Sequence, residues 1–251
     1  RISSGRGRDN QFRGLVRTVL YGFMGDRERI IHEYLWSYLT AERQTRLQEV
    51  IDWRTRHLTV VLENVYQPHN TSAVLRTCDA FGVQDVHVVE TENRFRVTRQ
   101  IAMGTEKWLT LHRHAATDNP AAVCIDRLRQ DGYRILATAP SSTASPPAEI
   151  DITQKTALVI GHETDGVSAC FADAADECVA IPMYGFVESF NLSVAAALCL
   201  YELTDQLHRS DIDWRLTPKE RQSLLVEWTR KSVPHLDSIE ERFWRDYQPD
   251  Y

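Results

Sequence analysis

The chain has 251 residues, 43% of them apolar and 25% charged, the balance of a globular protein with one sizeable core rather than of a disordered or fibrous chain. Its longest uninterrupted apolar stretch, Val194 to Leu200, is far too short for a membrane span. The 29 Lys and Arg against 35 Asp and Glu give a net charge of −6, which excludes a uniformly basic nucleic-acid-coating surface.

The charge is unevenly placed. Arginines crowd the first hundred residues, among them those at 1, 6, 8, 13, 17, 27, 29, 43, 46, 54, 56, 94, 96 and 99, whereas acidic residues gather at 173–177 and 205–213. Such a field steers a polyanion onto one face despite the negative total. The basic Arg1–Asn10 segment has no apolar stretch of the kind a secretory signal requires. The five cysteines (Cys78, Cys124, Cys170, Cys178 and Cys199) are widely spaced and form no Cys-x2-Cys pair. They fit buried free thiols in a cytoplasmic protein better than a zinc ribbon or a disulfide framework.

In chain order, Arg27 to Val50 carries apolar residues at helical spacing and predicts a pair of amphipathic helices. Short apolar runs predict strands at Leu58–Leu62, Val86–Glu90, Trp108–His112, Arg134–Thr138, Ala157–Ile160 and Val179–Met183. Between them, Ser72–Phe81, Pro120–Gln130 and Ser168–Ala174 predict helices, and the alternation indicates an α/β fold with a mostly parallel sheet covered on both faces. Ser141 to Pro147 is a loop by composition. Asn191 to Leu207 predicts a further helix, and Thr217-Pro218 with Glu220 marks the start of another. The expected organisation is an N-terminal helical extension over 1–56, an α/β domain over 57–208 and a C-terminal helical extension over 209–251.

Three segments carry chemistry. Asn70-Thr71-Ser72-Ala73-Val74-Leu75-Arg76-Thr77 follows the first strand through Pro68 and His69, with Asn70 where turn becomes helix, the position of an N-cap. Gly161-His162-Glu163-Thr164-Asp165-Gly166 follows a buried strand. Ile181-Pro182-Met183 leads into Glu188-Ser189-Phe190-Asn191-Leu192-Ser193, polar groups and backbone N–H at a helix start.

In this order the segments closely resemble the three motifs of the SpoU/TrmH group of knotted methyltransferases, over roughly Leu58 to Leu203. Glu63-Asn64-Val65 and Pro68-His69-Asn70 are most similar to the branch acting on guanosine 18 of the tRNA D-loop. The resemblance implies methyl transfer from S-adenosylmethionine to a ribose 2′-hydroxyl of tRNA, a deep C-terminal trefoil knot, and a homodimer with its active site across the interface. It implies catalytic roles for Arg76, Asn70, Glu163, Ser189 and Asn191. It places the cofactor against Thr138, Ala139, Gly161, Glu163, Gly166, Ile181, Met183, Ser189, Asn191 and Leu192, and RNA against Arg43, Arg46 and Arg76.

Arg76 is a poor general base because a guanidinium stays protonated; gripping a phosphate and stabilising a developing alkoxide suits it better. The absence of a Gly-x-Gly-x2-Gly after the first strand argues against a Rossmann-type cofactor site. Where the tRNA branch often has basic residues after the third motif, this chain has Asp205 and Leu207, with Arg209 only nearby and Arg215, Lys219, Arg221, Arg230 and Lys231 as substitutes. The run Val194 to Leu200, with Ala196 and Ala197 at its centre, offers a dimer face. His112 and His114 lie two apart with no carboxylate or Cys at ligand spacing beside them, so no metal is expected. An rRNA 2′-O-methyltransferase, or a non-catalytic RNA-binding protein on the same fold, are the alternatives.

Overall fold

The computed structural model describes residues 25–115, 117–139 and 144–247. The arginines at 1–17 and residues 141–143 of the expected 141–147 loop lie outside the described residues. The chain divides into two compact units, one over Arg54–Arg215 and one formed by the described parts of Arg1–Trp53 and Leu216–Tyr251.

The larger unit is a six-stranded sheet of β1 (Leu58–Glu63), β2 (Asp85–Val89), β3 (Thr110–His114), β4 (Arg134–Thr138), β5 (Thr156–Ile160) and β6 (Glu177–Val179). The strands run in the order β3-β2-β1-β5-β4-β6, and every pairing is parallel. The central strands are buried along their whole length, as parallel strands with helices on both faces must be. Alternation then divides the side chains. Leu58, Val60 and Leu62 pack with Val74 and Leu75 of α3 (Pro68–Ala80) and with Ala196, Leu200 and Leu203 of α7 (Leu192–Arg209). Val61, Ala157 and Val159 face the opposite layer, Cys124 and Leu128 of α5 (Pro120–Gln130) and Phe171 of α6 (Ala169–Ala174). A short helix α4 (Arg99–Ala102) lies between β2 and β3.

Three boundaries differ from the sequence expectation for local reasons. β3 starts at Thr110 rather than Trp108 because Thr105–Lys107 forms a 3-10 turn, entered through left-handed Met103 and Gly104 and closed by the Trp108 N–H on the Thr105 carbonyl. β6 spans Glu177–Val179 and does not continue to Met183. The Ala180 N–H turns to the Ser145 carbonyl, and Pro182 has no N–H to extend a ladder. α3 begins at Pro68 rather than Ser72, with proline in its first turn.

The smaller unit holds α1 (Asp26–Trp36), α2 (Ala41–Ile51), α8 (Pro218–Ser232) and α9 (Leu236–Asp246). The two terminal segments, separate along the chain, fold on each other. Ile31, Leu35 and Val233 pack with Tyr34, Leu236, Ile239, Phe243 and Trp244. Thr217 and Glu220 form a complete capping box at the start of α8. His32 is buried against the Thr229 hydroxyl at 3.1 Å, and burial pushes its pKa down to about 4. No described helix is long and apolar enough to cross a membrane.

Candidate active site

Because β1, β5, β4 and β6 are parallel neighbours, their C-terminal ends open on one edge of the sheet. The start of α3, the 161–166 loop, Thr138–Ala139 and the 180–191 loop all leave from that edge. Segments up to 121 residues apart in sequence therefore meet.

A chain of hydrogen bonds ties the three motifs together. The Glu163 carboxylate accepts from the Tyr66 and Gln67 backbone N–H groups, both at 3.1 Å, and from Asn70 Nδ2 at 2.9 Å. Asn70 Oδ1 accepts from Asn191 Nδ2 at 3.1 Å, and Asn191 Oδ1 accepts from the Ser193 N–H at 2.9 Å and its hydroxyl at 2.6 Å. Partial burial works to raise the Glu163 pKa, but these donors outweigh it and hold the carboxyl below its usual range.

Asn70 is thus not the N-cap that its place in the sequence suggests. Gln67 occupies that position without a side-chain cap, and the acidic group at the helix start comes from Glu163, in the second motif. Asn191 does cap, at the start of α7, through Ser193. Sequence reading missed Tyr66 and Gln67 because they take part through their backbone.

The second-motif loop closes on itself: the His162 N–H donates to the Gly166 carbonyl at 2.8 Å, and the Gly166 N–H donates back to the His162 carbonyl at 2.9 Å. A Cβ on Gly161 would lie 2.1 Å from the Gly166 carbonyl oxygen, and Gly166 sits at φ +72°. Both positions demand glycine. At the end of β1, Glu63 accepts from the Ser168 N–H at 2.9 Å, and left-handed Asn64 accepts from the Glu92 and Asn93 N–H groups. The Glu63-Asn64 part of the extended motif therefore fixes the loops after β1, β2 and β5.

The third-motif loop is built differently. Among the described residues, 181–190 make no backbone-to-backbone hydrogen bond. Ser189 is exposed, Ile181 and Met183 are partly buried, and Leu192 is buried at the helix start. Thr138 donates its hydroxyl to the Val159 carbonyl at 2.9 Å, and the Ala139 N–H bonds the Val179 carbonyl at 3.0 Å. The edge thus carries main-chain donors and acceptors on 181–190 that no other described backbone group engages, beside apolar Ile181, Met183 and Leu192. This donor set fits a purine nucleoside bearing a thioether or sulfonium chain.

Arg76 is exposed on α3, and neither its guanidinium nor the Ser189 hydroxyl has a partner among the described residues. Arg43 and Arg46 are exposed on α2 in the smaller unit, with Arg46 3.5 Å from Glu49. Tyr184 and Phe186 stand almost wholly in solvent, accompanied by exposed Val187 and Phe190 and by Val194, Leu198 and Tyr201 of α7. Ala196, expected on a dimer face, is fully buried in the protomer core, and the outward stripe is Val194, Leu198 and Tyr201.

Residues 57–201 match the model of the SpoU rRNA Methylase family. A tRNA (guanosine(18)-2'-O)-methyltransferase of Borreliella burgdorferi is 37% identical over 206 residues, covering 82% of this chain and 93% of the relative. The crystal structure of the A. aeolicus TrmH/SpoU tRNA modifying enzyme superposes with a TM-score of 0.68 at 35% identity, over 76% of this chain and 97% of that one. An AdoMet-bound rRNA methyltransferase from Sinorhizobium meliloti superposes with a TM-score of 0.54 at 25% identity, over 64% and 60% of the two chains. With its three motifs drawn to one sheet edge and these similarities over most of its length, the chain belongs to the SpoU methylase family.

Proposed function

We propose that this protein is an S-adenosylmethionine-dependent tRNA methyltransferase that modifies the ribose 2′-hydroxyl of guanosine 18 in the D-loop. The observation that carries this reading is the Glu163–Asn70–Asn191 hydrogen-bond chain, which organises three motifs around one edge and leaves Arg76 and Ser189 without a partner among the described residues. Relatives named for guanosine 18 methylation match four-fifths of the chain.

The loops at Thr138–Ala139, Gly161–Gly166 and Ile181–Leu192 hold S-adenosylmethionine, which supplies an electrophilic methyl group on a sulfonium. Glu163 is a positioning residue: its oxygens are occupied by three donors and its pKa is held low, so it is a weak base. Asn70 and Asn191 pass that order on to α3 and α7. Arg76 grips a phosphate beside the target ribose and stabilises charge building on the 2′-oxygen as its proton leaves to a phosphate oxygen or water. Ser189 contributes a hydroxyl beside the nucleotide.

Arg43 and Arg46, i and i+3 on α2, present two charges on one helix face and add an RNA grip outside the sheet. The exposed stripe of Val194, Leu198 and Tyr201, with Tyr184 and Phe186, is the face of a homodimer that completes each site. The C-terminal trefoil knot and a cytoplasmic location complete this reading.

The test is to incubate the protein with unmodified tRNA, with rRNA and with labelled S-adenosylmethionine, and to map the 2′-O-methyl positions. Label confined to guanosine 18 of tRNA supports the assignment. Label in rRNA alone reassigns the substrate, and label in neither removes the enzymatic reading.

A further inference from the structure

On the sheet face opposite α3 and α7, three residues from three elements converge. His87 of β2 and His114 of β3 meet at 3.0 Å, Nδ1 to Nε2, and Cys124 of α5 lies over them. Their ligand atoms, the two nitrogens and the Cys124 sulfur, all lie within 4.8 Å of one another. Along the chain His112 and His114 look like the natural pair, but the fold spends His112 on Asp85, Nε2 to carboxylate at 2.8 Å, and Asp85 is also bound by Arg56. His112 serves as one wall, stacked on His87 with ring centroids 4.6 Å apart; the His114 ring meets His87 edge to edge, its centroid 5.3 Å away and its plane within 9° of parallel.

We propose that His87, His114 and Cys124 form a binding site for a borderline-soft divalent cation of the zinc class, remote from the methyl-transfer edge. A donor set of two imidazole nitrogens and one thiolate sulfur selects zinc or cobalt over magnesium or calcium. Tetrahedral bonds of about 2.0 Å to nitrogen and about 2.3 Å to sulfur put ligand atoms roughly 3.3–3.6 Å apart, so binding needs the sulfur to close by up to about 1.5 Å and the two nitrogens, 3.0 Å apart, to open by a few tenths of an ångström. Water fills the fourth position. Access is from the edge of the sheet, because β3 is the terminal strand and His114 is only partly buried.

The protonation states suit this role. Burial, with the neighbouring histidines adding to it, pushes His87 down to about 3 and lowers His114, so both rings are neutral near pH 7. On binding, the proton shared by Nδ1 of His87 and Nε2 of His114 moves to a far ring nitrogen without net loss. The Cys124 thiol, pushed up to about 12 by burial, gives its proton to solvent as the metal–sulfur bond forms. Asp131 and Glu63 add negative potential at His87 and Cys124, opposed by Arg127 at His114.

The experiment is a cobalt(II) titration of the full-length, chelator-stripped protein, followed by absorbance and calorimetry. We expect one ion per chain, tetrahedral d–d bands with thiolate-to-cobalt charge transfer, and displacement by zinc. Cys124→Ala removes the charge-transfer band, and His114→Gln, at a partly exposed position that keeps the fold, weakens binding by at least about 100-fold. His112→Gln, outside the trio, retains the site. Absence of stoichiometric binding, or an unchanged spectrum in both Cys124→Ala and His114→Gln, overturns the proposal; neither result bears on methyl transfer.

Discussion

The two loops at the candidate-site edge of the sheet solve opposite problems. The 161–166 loop is self-sufficient: paired backbone bonds close it, Gly161 packs against the Gly166 carbonyl, and Glu163 spends its charge on neighbouring backbone and on Asn70. The 181–190 loop has no backbone bonds among the described residues and holds Tyr184 and Phe186 in water. A segment with unspent main-chain groups and uncovered aromatics is the low-stability kind of element from which binding loops are drawn. One loop is framework, and in the proposed function the other is interface.

The framework half is the easier to break. Gly161→Ala drives a methyl into backbone that cannot yield, so we expect a loss of about 3 kcal/mol in stability together with loss of cofactor binding, measured by denaturant melts and calorimetry. A variant as stable as wild type would show that the loop relaxes freely. Arg76→Ala leaves the framework intact, since Arg76 has no partner among the described residues. Cofactor affinity should hold while the single-turnover rate falls at least ~100-fold, and Arg76→Lys should rescue poorly for want of a planar fork.

The interface half answers to its exposed residues. Leu198→Glu should give folded, inactive monomers by sedimentation, whereas Ala196→Glu should unfold the protomer because Ala196 sits in its core. A fully active wild-type monomer would end the composite-site reading. The smallest effect belongs to Glu163→Gln, which turns one acceptor into a donor facing backbone N–H groups; for this solvent-screened site we expect about 1 kcal/mol and weaker cofactor binding. Because the folded pKa of Glu163 lies below its unfolded value, its contribution is complete above the usual carboxylate range and is lost as pH falls through the folded pKa. The acid side of the wild-type stability curve should therefore flatten in the glutamine variant.

Much of this is legible along the chain. The short apolar runs at 58–62 and 157–160 point to strands buried on both faces, and the ordered motifs point to the loops that meet. What the sequence conceals depends on positions set by the sheet. Ala196, Leu200 and Leu203 share one apolar run with Val194, Leu198 and Tyr201; spacing separates the two stripes, but only the sheet decides which faces inward. Asn70 has the residue type of a cap, yet Pro68 starts the helix early and turns Asn70 toward Glu163. His87 draws no attention in the sequence because its partners lie on another strand and a helix.

The most direct measurement compares methyl transfer into one tRNA transcript with transfer into the same transcript carrying a single 2′-deoxyguanosine at position 18. Methylation of the guanosine 18 ribose requires stoichiometric labelling of the first and none of the second. Equal labelling of both would contradict it.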